Sequence, residues 1–414
     1  MPSPAASDSP ASARPPKVHM NADERAASTS LGLLFALRML GLFLVLPVFA
    51  LEAAHYPGGN DPALIGLALG MYGLAQALMQ SPLGIASDRI GRKPVIVAGL
   101  LVFALGSALA ALATDIYGLM AGRALQGAGA ISAATSALLA DLTRDEVRTK
   151  AMAALGISIG LMFALSLMLA PPLSQWLGGL PGLFWLTAAL SLAGVGLVIW
   201  HTPPEPPRHA REPQAEGDKP RNAWTHPLLW RLHLGIFTLQ AVQMAMWVVV
   251  PGLMVQAGLP KSDHWMLYLP AVLLSFVLLG ALFALERRGH MHLALRGSIA
   301  LYFVVQLLFA WLASHAGGLW GLGLGLLLFF IAFNLIEASL PSLVSRLAPR
   351  SVRGQALGAF NTVQSLGLFV GGALGGWVFK GFGASQVFLL GALAAALWLA
   401  LGWHQPMNAP RAAC

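Results

Sequence analysis

Apolar residues in this chain neither alternate nor keep to one helical face. They come in long unbroken runs separated by short polar stretches. A helix needs about 20 mostly apolar residues to cross the hydrocarbon of a bilayer. Twelve segments meet that length: Ala27–Leu51, Pro62–Ala86, Pro94–Ala113, Ile116–Leu139, Ala151–Trp176, Gly182–Trp200, Leu232–Val255, Trp265–Leu285, Leu293–Ala313, Gly317–Val344, Ala356–Phe379 and Ala384–Trp403. The pattern predicts an all-α membrane protein with 12 transmembrane helices in two six-helix bundles. Composition agrees: of 414 residues, 57% are hydrophobic and 10% charged, against about 25% charged in a soluble domain. A soluble chain must also clothe its exterior in polar groups, so an ordinary soluble enzyme and a disordered chain are excluded. The one cysteine, Cys414, rules out an intrachain disulfide scaffold.

Charge orients the spans. All but four of the 25 Lys and Arg residues fall in the tails and in the loops leading from even to odd spans. The opposite side holds only Lys261 and Lys380, and Arg38 and Arg123 lie within spans. By the positive-inside rule both termini are cytoplasmic, as an even number of spans also requires. A net charge of +8 carried in such loops points to an anionic lipid surface and not to nucleic acid. The protein is expected to be a multi-pass monomer of the plasma (inner) membrane.

The chain divides at a polar stretch. Residues 1–26, rich in Pro, Ser and Ala, read as a disordered cytoplasmic tail and not a signal peptide. Residues 27–200 form the first bundle, 201–227 a Pro-rich charged linker, 228–404 the second bundle and 405–414 a short tail. The halves echo each other. Leu46-Pro47-Val48 answers Val250-Pro251-Gly252, and Asp88-Arg89-Ile90-Gly91 answers Glu286-Arg287-Arg288-Gly289. The stretch Leu142 to Ala154 likewise answers Leu347 to Ala359. Matches at equivalent places and nearly constant spacing argue for an internal duplication, the pattern of carriers that rock two halves about a midplane site.

The sharpest motif runs from Gly84 to Pro94, with Asp88, Arg89, Gly91, Arg92 and Lys93 in register between spans 2 and 3. A basic loop alone would satisfy the charge rule; Gly84, Asp88 and Gly91 are not explained that way. Gly84 permits close approach of another helix. Asp88 is an anion that can face a helix N-terminus, and span 11 begins near Gly354. Arg92 can reach Asp141 at the cytoplasmic end of span 4. The stretch resembles the most specific signature of the major facilitator superfamily. Arg123-Ala-Leu-Gln126-Gly127 in span 4 resembles that family's second motif. Span 5 carries Ala170-Pro171 where the drug/proton antiporter branch has Gly-Pro, with no paired glycines after it, a departure from that branch. Leu37 to Gly41, Val45 to Val48, Leu139 to Arg144, His264-Trp265 and Phe333 to Ala338 extend the likeness to a bacterial inner-membrane member across all twelve spans. That member continues into a small soluble C-terminal domain. This chain ends about ten residues after span 12, so regulation through such a domain is expected to be absent. The resemblance implies that the 84–94 motif gates the cytoplasmic side, with Asp88 holding span 11 and Arg92 pairing with Asp141. The second copy, Glu286 to His290, has lost its Lys and Pro and is expected to gate less.

Three charges lie within spans: Arg38, Arg123 and Glu337. Each costs a few kcal/mol at the bilayer centre and calls for a partner or a wet cavity. At 1.5 Å per residue, Arg38 lies about 16 Å up span 1 and Glu337 about 13 Å up span 10. In the family that the chain resembles, spans 1, 4, 7 and 10 line the cavity, so these two could pair; Arg123 lies higher. Glu337 is the one carboxylate deep in a span, and desolvation would let it load and release protons near neutral pH. It is a proton-coupling site, an ion-pair partner for an arginine or a counter-ion for substrate. Arg38 and Arg123 read as structural or charge-balancing.

Met39, Phe43, Tyr72, Gln76, Gln80, Gln240, Gln243, Met244, Trp247, Asn334, Asn361 and Gln364 are candidates to line a substrate cavity. Polar residues in spans also serve to join helices, and Met and Trp to fill cores. His290 and His292 lack the further ligands a metal site needs. Gly321, Gly323 and Gly325 lie within a span with no strand before them, so they are packing glycines and not a nucleotide loop. With no Walker motif and no nucleophile–base pair, the chain reads as a carrier and not an enzyme. It is expected to need no cofactor, the proton being its coupling ion, and to take a small-molecule substrate. Three functions are in play: proton-driven efflux of small amphipathic compounds, a specific metabolite, sugar or anion carrier, and a membrane sensor or structural protein.

Overall fold

The computed structural model describes residues 20–205, 229–287, 291–315, 318–348 and 353–402. Helices α1 (Ala22–Ala53), α2 (Pro62–Ile90), α3 (Arg92–Ala111), α4 (Ile116–Ala128), α5 (Ser132–Asp141), α6 (Asp145–Trp176) and α7 (Leu180–Trp200) build the first half. Helices α8 (Leu229–Gln256), α9 (Trp265–Arg287), α10 (Met291–Ser314), α11 (Leu319–Leu347), α12 (Arg353–Phe382) and α13 (Ala384–Gly402) build the second, with a single 3-10 turn at Lys261–Asp263.

Among the described residues, eleven helices are long and apolar enough to span a bilayer, where the sequence predicts twelve. The missing one is span 4, read above as continuous from Ile116 to Leu139. It is broken into α4 and α5 at Gly129–Ile131. The glycines explain the break. A Cβ on Gly127 would lie 2.1 Å from the Tyr72 carbonyl oxygen, and one on Gly129 would lie 2.4 Å from that of Gly99. Backbones approach here too closely for any side chain, and the helical ladder yields. A freed carbonyl in a membrane needs a donor, and the Arg38 guanidinium supplies one to Gly129 at 3.5 Å.

Helix α1 starts at Ala22, inside the stretch assigned to the disordered tail. Asn21 and Glu24 form a reciprocal capping box, which satisfies two of the orphan donors that an uncapped helix start leaves. The predicted linker also begins late. Glu205 accepts from the backbone N–H of Arg92 at 3.1 Å and from that of Lys93, so an anion sits on the N-terminus of α3, where the helix dipole favours it. Lys93 Nζ donates to the Thr202 carbonyl at 2.6 Å. The rest of the linker, from 206, lies outside the described residues.

One apolar core runs through the outer and central parts of the first half and the full depth of the second, with Phe49, Leu167, Trp247, Phe330 and Val344 among its members. A second fills the inner part of the first half around Leu31, Ile96 and Leu138. Trp176, Trp200, Trp320 and Trp377 stay exposed near helix ends, where amphipathic rings sit at the headgroup level.

Candidate functional site

The halves meet chiefly through α2 and α12. A Cβ on Gly66 would lie 2.1 Å from the Gly372 carbonyl oxygen, one on Gly70 2.7 Å from that of Phe369, and one on Gly73 2.5 Å from that of Ser365. Three facing steps of glycine let the backbones touch, since small residues are what permits close helix contact in lipid. Toward the cytoplasm the contact thins: Gly84 meets only Ala133 of its own half, at 3.9 Å, and nothing lies within 4 Å of a Cβ on Gly358.

Above the zipper, on the outer face, two ion pairs cross between the halves. Lys261 Nζ bonds the Glu52 carboxylate, and Lys380 Nζ lies 2.6 Å from Asp61 Oδ2. The hydrogen bond from Lys380 holds the Asp61 carboxyl below its ordinary value. These are the two lysines the sequence leaves on the outer side, and both bind the opposite half. Counting charges finds them but cannot assign their partners.

At mid-depth an aromatic layer joins the halves. Phe163 on α6 packs edge-on against Phe43 (ring centroids 5.1 Å apart), Trp247 (6.4 Å) and Phe330 (6.0 Å). Sequence reasoning missed Phe163, because an isolated aromatic in a span looks like ordinary core. Phe43 and Trp247, candidates for the cavity, belong to this layer.

Glu337 lies about 10 Å, two helical turns, on the cytoplasmic side of Phe330. It is partly exposed, and both its oxygens accept from amides. Gln240 Nε2 on α8 donates to Oε2 at 2.9 Å, and Gln364 Nε2 on α12 donates to Oε1 at 2.8 Å. Among the described residues no arginine reaches it. The pairing with Arg38 that the depths allowed does not form, because Arg38 turns into the core of its own half. Asn334 donates to Ser275 on α9 at 3.0 Å, and Asn361 is half-buried on α12. Gln243 and Met244 are buried on α8.

The arginines make a separate cluster between α1, α2, α3 and α4. Arg38 donates to the Tyr72 hydroxyl at 3.2 Å and lies 5.3 Å from the Phe103 ring centroid. Arg123 lies 4.9 Å from the Tyr72 ring centroid and donates to Gln126 at 2.9 Å, and Gln126 passes a bond to Ser107 at 2.7 Å. Both guanidiniums are 1% exposed, and no carboxylate bonds either one among the described residues. Ring faces and neutral dipoles stand in for counter-ions. Gln80 is buried in α2 with no hydrogen-bond partner among the described residues, Met39 is buried in α1 and Gln76 is partly exposed.

The 84–94 motif builds a network within one half. Arg92 Nε lies 3.3 Å from Asp141 Oδ2, its Nη2 2.7 Å from Asp88 Oδ1, and its Nη1 donates to Ser87 at 2.7 Å. Gly91 turns the chain between α2 and α3 at φ +124°, a conformation that favours glycine. Asp141 belongs to the first half, so this bridge fastens the α2–α3 turn to α5 and does not itself join the halves. Residues 349–352, where Asp88 would meet the start of span 11, lie outside the described residues, as does Arg288-Gly289-His290 of the second copy. A contact absent from the sequence reading supports the same corner: Arg144 bonds Glu24 through Nε at 2.7 Å and Nη2 at 3.0 Å.

Membrane-spanning helices in two glycine-zipped halves, with an aromatic layer above a part-buried carboxylate, define a two-bundle membrane carrier. A family model described as Major Facilitator Superfamily matches residues 31–372. The chain belongs to the major facilitator superfamily and is a multi-pass transporter of the inner membrane. It is 44% identical over 384 residues to the inner membrane transport protein YajR of Escherichia coli (strain K12), covering 92% of this chain and 83% of that one. It is 27% identical to the multidrug resistance protein MdtH of Shigella boydii serotype 4 (strain Sb227), covering 88% and 91%. Among solved structures, the D-xylose-proton symporter superposes with a TM-score of 0.73 at 15% identity, covering 92% of this chain and 97% of that one.

Proposed function

We propose that this transporter exports small amphipathic organic compounds in exchange for protons, by alternating access, and that Glu337 carries the proton. The observation behind this reading is the setting of Glu337: a carboxylate on the cytoplasmic side of the aromatic layer, held by two neutral amides and, among the described residues, by no cation. An acid neutralised by an arginine stays ionised, whereas one held by amides is free to exchange a proton. The aromatic layer beside it offers apolar surface for an amphipathic guest. The likeness to a protein named for multidrug resistance supports the substrate class. One proton falling through about 100 mV releases about 2.3 kcal/mol, which sustains roughly a fortyfold gradient of a neutral compound.

A second reading rests on the arginine cluster. Two buried cations with no bonded carboxylate give the first half a positive interior that suits a metabolite anion. Proteoliposomes separate the two. With an imposed pH gradient, ethidium is expected to move against its concentration and a fluorescein anion is not, and Glu337→Gln is expected to lower ethidium flux at least about tenfold. Preferential movement of the anion would favour the second reading. Flux of ethidium that ignores both the gradient and Glu337→Gln would defeat the first.

A further inference from the structure

The two amides on Glu337 come from different helices, and one of those helices also carries the zipper between the halves. Gln364 on α12 is followed at once by Ser365, whose carbonyl oxygen faces Gly73 of the opposite half; Leu368, Phe369, Gly372 and Gly376 continue that contact outward. Gln240 on α8 holds the other oxygen, and Gly367 of α12 packs on the Phe237 carbonyl of α8. The carboxylate is therefore the knot that binds α11 to α8 and α12 just below the point where the halves touch.

An ionised carboxylate only accepts hydrogen bonds, so two N–H donors suit it. On protonation a new O–H bond forms at one oxygen, and that hydrogen points at the amide N–H that oxygen had accepted from. Two donors cannot bond each other. Either that amide turns over to present its oxygen or the tie breaks. We propose that Gln240 and Gln364 are positioning residues that hold Glu337 in its ionised form. Gln364 is the coupling element: proton uptake releases α12 from α11, and the α2–α12 zipper loosens with it. This rests on the reading that Glu337 carries the proton.

The surroundings leave the amides as the agents. On α10, Tyr302 spends its hydroxyl hydrogen on the Leu239 carbonyl at 3.0 Å. On α8, His233 lies two turns below Gln240 against the Phe360 ring. On α9 the side chain facing α11 is Ser275, engaged by Asn334. Arg231 and Arg296 lie lower, lining a small pocket with Leu340 and Trp398. None of these bonds the carboxylate.

The test uses the full chain in lipid, with no substrate. The carboxyl C=O infrared band is titrated from about pH 5 to about pH 9, and Glu337→Gln identifies which band belongs to this residue. Gln364→Met and Gln240→Met keep the volume and remove the donor. Each is expected to move the midpoint of that band up by about one pH unit or more, because a hydrogen bond to a charged group is lost. In a Cys414→Ala background, spin labels at Leu112→Cys and Trp320→Cys on exposed outer ends report the separation of the halves. That separation is expected to grow as the band appears, at the shifted pH in Gln364→Met. A midpoint unmoved in both Met variants overturns the clamp. A midpoint that moves while the separation stays constant overturns the coupling through Gln364. A band that Glu337→Gln does not remove overturns the proton-site reading itself, and this inference with it.

Discussion

Tyr72 serves two cations with two different parts of one side chain. Its hydroxyl accepts from Arg38 and its ring faces Arg123. That division makes the residue separable by substitution. Tyr72→Phe keeps the ring and removes the acceptor, and is expected to lower stability by about 1–3 kcal/mol, since a buried donor is orphaned. Tyr72→Leu removes the ring as well, and should cost a further ~0.5–2 kcal/mol for the lost cation–π contact. Thermal unfolding in detergent compares the two variants; equal losses would show that the ring contributes nothing to Arg123. All three in-span charges, Arg38, Arg123 and Glu337, were legible as costly residues needing partners. The partners were not, because at the depths counted along each helix Arg38 could have met Glu337. Which way each side chain turns depends on the rotation of its helix in the bundle, and a hydropathy run carries no information on rotation when every face is apolar.

At the scale of elements, glycine decides. The close contact between α2 and α12 has no room for a β-carbon at Gly66, Gly70 or Gly372, whereas Gly358 has open space. Gly372→Val is expected to push the outer ends of α2 and α12 apart at a cost on the order of 1–3 kcal/mol and to shift the population away from the outer-closed form. Gly358→Val should leave it unchanged. Distances between spin labels across the outer face measure both, and equal responses would deny the zipper its role. A ladder of glycines along span 11, at Gly367, Gly371, Gly372, Gly375 and Gly376, was legible in the sequence. Its partner across the molecule was not, since any of several helices offers small residues. The break in span 4 was hidden for the same reason: hydropathy is continuous through Gly129, and only the approach of Gly99 and Tyr72 forces the chain out of helical form.

For the whole molecule, the outer face is fastened by charge across the halves, while the Arg92 network with Asp88 and Asp141 on the inner side stays within one half. Asp61 and Lys380 bridge the halves at the outer end of the zipper. Because the Asp61 carboxyl is held below its ordinary value by Lys380, the bridge is complete above the usual carboxylate range and is lost as external pH falls through the lowered value. Both partners are partly exposed, so the pair is worth only about 0.2–1 kcal/mol; its effect is on the balance between states and not on folding. Asp61→Asn is expected to raise the outer-open fraction several-fold at neutral pH and to abolish any further opening of this bridge in acid, read by the distance between spin labels at Leu112→Cys and Trp320→Cys on exposed outer ends. A distance unchanged by the substitution would show that the bridge holds nothing closed.

Length of apolar run, placement of basic residues and internal repetition determined the class, the topology and the duplicated plan, because crossing a bilayer is a constraint that each segment meets alone. The 84–94 motif carried the family for a similar reason: its residues act within one turn, and their spacing survives translation into a string. What only the tertiary structure decided is every relation between segments. It paired the two outer lysines with acids of the opposite half, turned Arg38 away from Glu337, and brought Gln240 and Gln364 onto one carboxylate from positions far apart in the chain. Those relations come from how helices rotate and lean on one another, and in a molecule apolar on nearly every face that is settled by close packing and by where the few polar groups can satisfy each other.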